Sequence, residues 1–364
     1  MPSVRAATSR QLPEPGHTRE KSDRLPLPHT VEVGRVLWVY AIPIVSIHVL
    51  ALLALVPWLF SWTGVIAMVV GVHVFGQGIN LCYHRLLTHR SFKVPLWLEH
   101  IFVAIALCCM EDTPAHWVAT HRFHHSQSDE QPDPHSPLVS FLWSHMGWLF
   151  LHNHGTRNYD AYYKYARDVL EDPFYMRLEK NPWLVFVFYV AHALLFFLAG
   201  FLVGFFSAGA NAGPWIAGMQ FGLSLFVWGV IVRTVVVWHI TWSVNSLTHL
   251  FGYRNYETGE HSTNNWFVAL LTVGEGWHNN HHHDQTSASN QHRWWELDLT
   301  YYEVLALSWI GLASDVKRPR HLRQAAAQAQ AQPLALSSPS PSQSASPSVN
   351  SPPLSPATMP PHQH

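Results

Sequence analysis

Three histidines stand at i, i+3 and i+4 in His121-Arg122-Phe123-His124-His125, and the spacing returns in His278-Asn279-Asn280-His281-His282. On a helix such residues fall within about 100° of arc, so the spacing predicts three imidazoles converging on one point. A third pair, His84 and His89, is five residues apart. Five residues rotate the helix by about 140°, so that pair closes on one ion only near a helix end or kink. A lone histidine is usually a satisfied polar residue. Eight in three compact clusters point to metal, because neutral imidazole is the commonest nitrogen ligand. Eight donors exceed what one ion accepts, which predicts two ions. Nitrogen-rich ligation without thiolate suits iron, zinc, copper or nickel, and spacing does not choose among them.

The elements that must position these clusters are membrane helices. A chain of 364 residues with 48% hydrophobic and 12% charged residues is too apolar for an average soluble protein, and its 17 Trp suit a membrane interface. A net charge of −1 argues against a nucleic-acid partner. Cys82, Cys108 and Cys109 form no disulfide framework and no metal-binding pair, and read as small buried side chains. Residues 1–34 are polar, lack the apolar core of a signal peptide and are expected to be disordered. Four apolar runs follow: Val36 to Phe60, Gly64 to Cys82, Trp183 to Phe206 and Trp215 to Trp238. The short links, Ser61-Trp62-Thr63 and Ser207 to Pro214, make them two antiparallel hairpins. His84 and His89 then emerge just beyond the second helix. Leu96 to Met110 is too short to span and reads as an interfacial or buried helix, with a re-entrant segment as the alternative. Residues 35–323 form the membrane domain. The tail, 324–364, is Ala/Gln and then Pro/Ser without Asp, Glu, Lys or Arg, and is expected to be disordered.

None of the 22 Lys and Arg falls in the two hairpin links, and all but Arg233 lie in the termini or the two polar regions. By the positive-inside rule, both termini and all three histidine clusters face the cytoplasm, and Arg233 is expected to snorkel to that face. The fold class is therefore an all-α integral membrane protein: four spans carrying a cytoplasmic, helical, histidine-rich catalytic domain.

The clusters HRLLTH, HRFHH and HNNHH, in this order, resemble those of the membrane fatty acid desaturases, specifically the stearoyl-CoA (Δ9) branch. NSLTHLFG at Asn245 to Gly252, GEGWHNNHH at Gly274 to His282 and DPHSP at Asp133 to Pro137 resemble it too. The likeness covers roughly residues 35–320. It implies a di-iron centre held by His84, His89, His121, His124, His125, His249, His278, His281 and His282, with Asn245 reaching one iron through a water. His249 on its own reads as a core histidine, and only NSLTHLFG promotes it. Asn245 and His249 are four apart and share a helix face.

The reaction implied is an oxygen-dependent dehydrogenation of a long-chain saturated acyl group, with dioxygen as co-substrate. Reduced (Fe2+) iron would activate dioxygen, two hydrogens would leave neighbouring methylenes to form a cis double bond, and both oxygen atoms would leave as water. No side-chain acid or base removes such a hydrogen at neutral pH, so the protein supplies ligand geometry and position. Acyl-CoA is the carrier the branch favours; acyl carrier protein and intact glycerolipid present the same chain. No haem-binding His-Pro-Gly-Gly stretch is present, so the two electrons are expected from a separate donor of ferredoxin or cytochrome b5 type with its reductase.

Other residues are assigned more loosely. Glu111, Asp112, Asp129, Glu257, Glu260 and Glu275 are candidates to hydrogen-bond the ligand imidazoles, each weighed against a solvated loop carboxylate. Trp117 and Trp242 line the acyl tunnel or anchor at the interface. Arg122 and Arg254 meet an anionic headgroup or lipid phosphates. His283 points off the ligand face, and His135, His145, His152, His154, His239, His261 and His292 are read as non-ligands. The rivals are a di-iron hydroxylase or a desaturase of other regiochemistry or carrier, a membrane haem electron carrier using His48, His73 and His192, and a metal transporter or sensor. Product analysis and a Soret band separate the first two; transport needs polar ligands within the spans, which hold few. The Ala/Pro/Ser-rich tail suggests a high-GC bacterium and hence its plasma membrane.

Overall fold

A computed structural model of the chain describes residues 24–209 and 213–336. Helices dominate. In chain order they are α1 (Trp38–Ala51), α2 (Trp62–Gln77), α3 (Leu96–Leu107), α4 (Pro114–Gln127), the short α5 (Phe141–His145) and α6 (His154–Arg157), α7 (Tyr159–Leu170), α8 (Pro173–Lys180), α9 (Trp183–Ser207), α10 (Pro214–Phe226), α11 (Arg233–Ser246), α12 (Trp266–Leu271), α13 (His278–His283), α14 (Leu299–Trp309) and α15 (Arg320–Leu336). The fold is not all-α: β1 (Val31–Val36) pairs antiparallel with β2 (Leu151–Asn153). The order expected from residue 35 begins earlier, because backbone pairing and a bond from Leu25 N to Leu138 O recruit residues 24–34. Residues 1–23 of that segment lie outside the described residues. Within the expected disordered tail, residues 324–336 belong to α15, in line with the high helix propensity of Ala and Gln, and residues 337–364 lie outside the described residues.

Four helices are long and apolar enough to cross a membrane: Trp38–Leu55, Trp62–Thr88, Trp183–Ser207 and Pro214–His249. Two of them run past the ends read from hydropathy. The second continues from α2 through a π-helical segment, Gly78–Thr88, and the fourth runs from α10 through a second π segment, Val227–Val232, into α11 and a last 3₁₀ turn at His249. Polar side chains end the hydropathy signal, but the helices persist because those side chains find partners. His84 therefore lies within the second helix's extension and His89 caps its end, where the pair was expected just beyond the helix. The first span stops early: α1 gives way to 3₁₀ turns and an extended Val56, whose next residue, Pro57, disfavours helical backbone before it. Between the last two spans, 210–212 of the small-residue link lie outside the described residues.

The central apolar cluster packs the π segment after α2 against α3, α4 and α7, through Ile79, Leu86, Val103, Leu107, Val118 and Val169. Gly78 makes that crossing possible, since a Cβ there would lie 2.7 Å from the Ala106 backbone. Arg233 does not snorkel. It is fully buried, donates to Cys108 O at 3.1 Å, and lies against His192 Nε2 at 2.7 Å.

Candidate di-metal site

The two i, i+3, i+4 motifs each serve two centres. His121 and His125 join His84, His89 and His281; His124 joins His249, His278 and His282; within each group the donor atoms lie within 4.8 Å of one another. The single point of convergence is thus corrected to two. Relative to residue i, residue i+4 lies about 40° to one side and residue i+3 about 60° to the other, so a helix lying between two centres divides its three histidines. α4 gives i and i+4 to the first group and i+3 to the second, while α13 does the reverse.

His84 and His89 reach one centre because the backbone between them is π-helical. In an i→i+5 winding, residues five apart stack one turn above the other, and His89 N donates to His84 O at 3.1 Å. His249 arrives on the last turn of the fourth long helix. Within α13, Asn279 and Asn280 face away from both groups. Asn279 accepts from the backbone N–H of Asn255 and Tyr256, and Asn280 bonds Asn264, Asn255 and Glu296, which fixes the helix's rotation.

Carboxylates orient the imidazoles. Glu275 lies 2.9 Å from His84 Nδ1, Asp129 2.8 Å from His249 Nδ1, and Asp133 3.0 Å from His124 Nδ1. A carboxylate only accepts, so each Nδ1 carries the proton and each Nε2 turns a lone pair into its group. Glu260 stands 3.7 Å from His282 Nδ1. Burial works to raise the Asp129 carboxyl, but the His249 imidazole holds it well below the usual range; Arg85 and His84 overcome the same effect of burial to hold Glu275 at about 2. Arg85 bridges Glu275 and Asp298, while Gly274, at φ +135°, keeps its backbone against Asp298, where a Cβ would clash at 2.4 Å. Burial, followed by repulsion from neighbouring imidazoles, pushes His89, His121, His125, His278, His281 and His282 well below the ordinary histidine pKa. They are neutral donors.

The donor set fits metal. Nε2–Nε2 separations are 3.1 Å for His84–His281, 3.1 Å for His281–His125 and 3.0 Å for His125–His121 in the first group. They are 3.1 Å for both His278–His249 and His282–His278 in the second. Metal–imidazole bonds of about 2.1 Å place donors at right angles about 3.0 Å apart and tetrahedral donors about 3.4 Å apart. The spacing matches right-angled coordination. His89 Nε2 is buried with no hydrogen-bond partner, as a donor to metal would be.

Both groups border one cavity of about 700 Å³, whose lining includes His84, His121, His278, Asn245, Trp117, Trp238 and Trp242. Its wall comes from the starts of the first and third spans, at Val39, Tyr40, Trp183 and Phe186, and from the later turns of the second and fourth. Trp117 stacks on His121 at 5.0 Å, and Trp242 on Trp238 at 5.8 Å.

Several expectations are corrected. Glu111 accepts from Thr241 Oγ1 at 3.0 Å, and Asp112 pairs with His116 at 2.7 Å, so neither touches a clustered imidazole. The Glu257 side chain is 93% exposed and, among the described residues, reaches only Arg254. Arg122 is spent on Asp168 and on the carbonyls of Leu87, Thr88 and Tyr165, and Arg254 bonds Glu260 O. His48, His73 and His192, the rival haem ligands, are engaged with His239, Glu303 and Arg233. His145 bonds His239, His152 lies against Glu32, His283 stacks on Tyr256 at 3.7 Å, and His292 meets the Tyr256 hydroxyl. His261 donates its backbone N–H to Asp129, and His154 opens α6. His135 lies beside His124 and Asp133. Sequence reasoning missed Asp133, although its DPHSP motif was in view, and it missed Arg85, Asn279 and Asn280.

Residues 57–308 match the fatty acid desaturase family model, so the chain belongs to the fatty acid desaturase family. It is 42% identical over 281 residues to the sn-1 stearoyl-lipid 9-desaturase of Anabaena variabilis, covering 77% of this chain and 93% of that protein. With the sn-1 stearoyl-lipid 9-desaturase of Synechocystis sp. it shares 41% over 283 residues, 78% of this chain and 80% of the relative. With the acyl-CoA 5-desaturase AL21 of Anemone leveillei it shares 41% over 280 residues, 77% and 79% respectively. The chain is thus similar to desaturases named for both lipid-linked and CoA-linked acyl groups.

Proposed function

We propose that this desaturase introduces a cis double bond at C9 of a saturated long-chain acyl group, using two iron ions, dioxygen and electrons from a separate ferredoxin- or cytochrome b5-type donor. The observation that carries this reading is that both imidazole groups border one largely apolar cavity. In it, His84, His89, His121, His125 and His281 would hold one iron and His124, His249, His278 and His282 the other, with Asn245 available to one of them. Bound iron supplies the oxygen activation needed to remove hydrogen from unactivated methylenes. The chain's own residues hold the ions, shape the passage and exclude water.

α4 supports C9. His116, Trp117, Thr120 and His121 line the cavity in sequence. From His116 to the middle of HRFHH is about seven residues, about 10 Å of helix, close to the extended length of an acyl chain from C1 to C9. His116 gives its Nδ1–H to Asp112, so Nε2 is an acceptor, buried and without a partner, while Trp148 offers a buried, unpartnered indole N–H. A hydroxyl and an ester carbonyl satisfy this pair.

The carrier we favour is an intact glycerolipid, where the branch resemblance favoured acyl-CoA. The cavity reaches the surface between the first and third spans, where Val39, Trp183 and Phe186 are exposed on apolar helices. A lipid tail enters there directly from the bilayer. Among the described lining residues, Arg157 is the one Lys or Arg, and it is already bonded to Tyr40, whereas Asp112, Glu179 and Glu275 are acidic. The phosphates of coenzyme A meet like charge. The membrane is read as a bacterial plasma membrane with the histidine face cytoplasmic, following the distribution of Lys and Arg.

The test supplies the purified protein, a reduced donor and oxygen with either vesicles of a stearoyl glycerolipid with an uncharged headgroup or stearoyl-CoA. A cis-9 bond formed in the intact lipid is expected. Desaturation of stearoyl-CoA alone overturns the carrier; hydroxy acids or a bond elsewhere overturn the reaction or its position.

A further inference from the structure

Arg233 is a guanidinium buried inside the fourth long helix, and among the described residues no carboxylate pairs with it. Such a group is costly in a membrane unless its surroundings supply negative potential. Three features do so. Nη1 donates to Cys108 O at 3.1 Å, Nη2 meets His192 Nε2 at 2.7 Å, and the guanidinium carbon sits 4.1 Å over the Phe75 ring. Cys108 is the C-cap of α3, so its carbonyl is at the negative end of that helix dipole. Arg233 and the end of α3 are therefore a charge pair without a carboxylate.

Directly after α3 the chain forms a wall of the cavity. Met110, Glu111, Asp112 and Thr113 all line it, and Met110 and Asp112 adopt positive φ, 55° and 90°. A turn held in left-handed backbone at two non-glycine positions persists only where its surroundings dictate it. α11 does this with three donors along its length. Arg233 takes the carbonyl of Cys108, Trp238 Nε1 that of Cys109 at 2.7 Å, and Thr241 Oγ1 the carboxyl of Glu111 at 3.0 Å. Three positions along one rigid helix thus grip Cys108, Cys109 and Glu111. The same helix carries Asn245 and leads directly into His249, so the wall and the second imidazole group share one frame.

We propose that Arg233 is a positioning residue: by tying the end of α3 to α11 it sets the register of the Met110–Asp112 wall against the acyl chain, and so decides which methylene pair faces the metals. This rests on the desaturase reading of the cavity. An error of about 1 Å costs an oriented reaction about 100-fold and is comparable to one carbon of an extended chain, so a loosened wall is expected to redistribute the double bond as well as slow its formation.

The experiment expresses wild type, Arg233→Lys and Trp238→Phe as full chains in a desaturase-deficient host. It measures double-bond positions by mass spectrometry, bound iron, and the melting temperature of each purified protein. For Arg233→Lys, the fraction of bonds displaced from the wild-type position should rise about tenfold at unchanged iron per folded chain. Trp238→Phe, which removes one donor from the same wall, should displace fewer bonds in the same direction. If both variants yield less product in proportion to folded protein, with the wild-type isomer ratio intact, Arg233 only supports folding and the proposal is overturned. Should Arg233→Lys fail to fold, Trp238→Phe decides alone: an unchanged ratio overturns the proposal. A wild type that makes no cis-9 bond defeats the functional reading separately, because the variants are scored against whatever position the wild type uses.

Discussion

The two imidazole groups share the HRFHH and HNNHH motifs but are supported differently. In the group of four, three histidines stand against carboxylates: His124 on Asp133, His249 on Asp129, and His282 at longer range on Glu260. In the group of five, His84 on Glu275 is the one such pair among the described residues, and the other rings lean on each other, with His121 also stacked on Trp117. A carboxylate behind an imidazole fixes its tautomer and strengthens its basicity. One centre is thus tuned by charge, the other by the number and packing of rings. The group with fewer imidazoles is the one with more carboxylates, and the one whose helix brings Asn245 to the cavity.

Removing a ring tests the division most strongly. His281→Ala and His278→Ala should each lower activity by more than about 100-fold, the upper range for a partner behind a ligand. Each should also lose about one of the two ions, leaving the other centre loaded. Loss of both ions from either variant would show that the groups are one cooperative unit.

Changing the supports separates the groups more finely. Asp129→Asn is expected to weaken metal binding by about 10–100-fold with little change in melting of the metal-free protein. Glu275→Gln should act mainly on the fold, since it leaves Arg85 short of a buried partner, at roughly 3–5 kcal/mol. Glu275 is held at about 2 against an unfolded value of 4.5, so its contribution is complete above about pH 4.5 and is lost as pH falls through about 2. Acid melting curves and metal titrations of both variants check the contrast.

Glu111 extends the comparison to the cavity. Burial pushes its carboxyl up to about 8, against the lowering bonds from Thr241 and Trp117, so near neutrality it is an uncharged acid beside the alkyl path. Activity is expected to fall as pH rises through about 8, when charge enters the passage. Glu111→Gln should flatten that alkaline limb and leave the neutral rate within a few fold. The smallest effect is expected at Glu257, whose exposed side chain pairs with Arg254: Glu257→Gln should change stability by less than about 0.5 kcal/mol and leave metal content unaltered.

Much of this site was legible along the chain because it rests on short periodicities. Eight of the nine grouped histidines sit in three motifs, and the four long helices follow from apolar runs. Where the reading stopped short, the cause was backbone geometry or long-range partnership. A regular 3.6-residue helix cannot close His84 on His89, and nothing local announces the π winding that does. Hydropathy ended the second and fourth spans where polar residues began, though buried partners carry both helices onward. Arg233 looked able to reach the membrane surface, yet the end of α3 supplies its counter-charge inside.

The sequence by itself determined the histidine clusters, their helical spacing and the four apolar spans, because these depend on side-chain chemistry and on periods of two turns or less. Tertiary structure alone decided that HRFHH and HNNHH are each divided between two groups, that Asp133 and not Glu257 stands behind an imidazole, and that a guanidinium grips the cavity wall. Those outcomes depend on which helices meet, and at what rotation, across more than a hundred residues, and no local pattern encodes that.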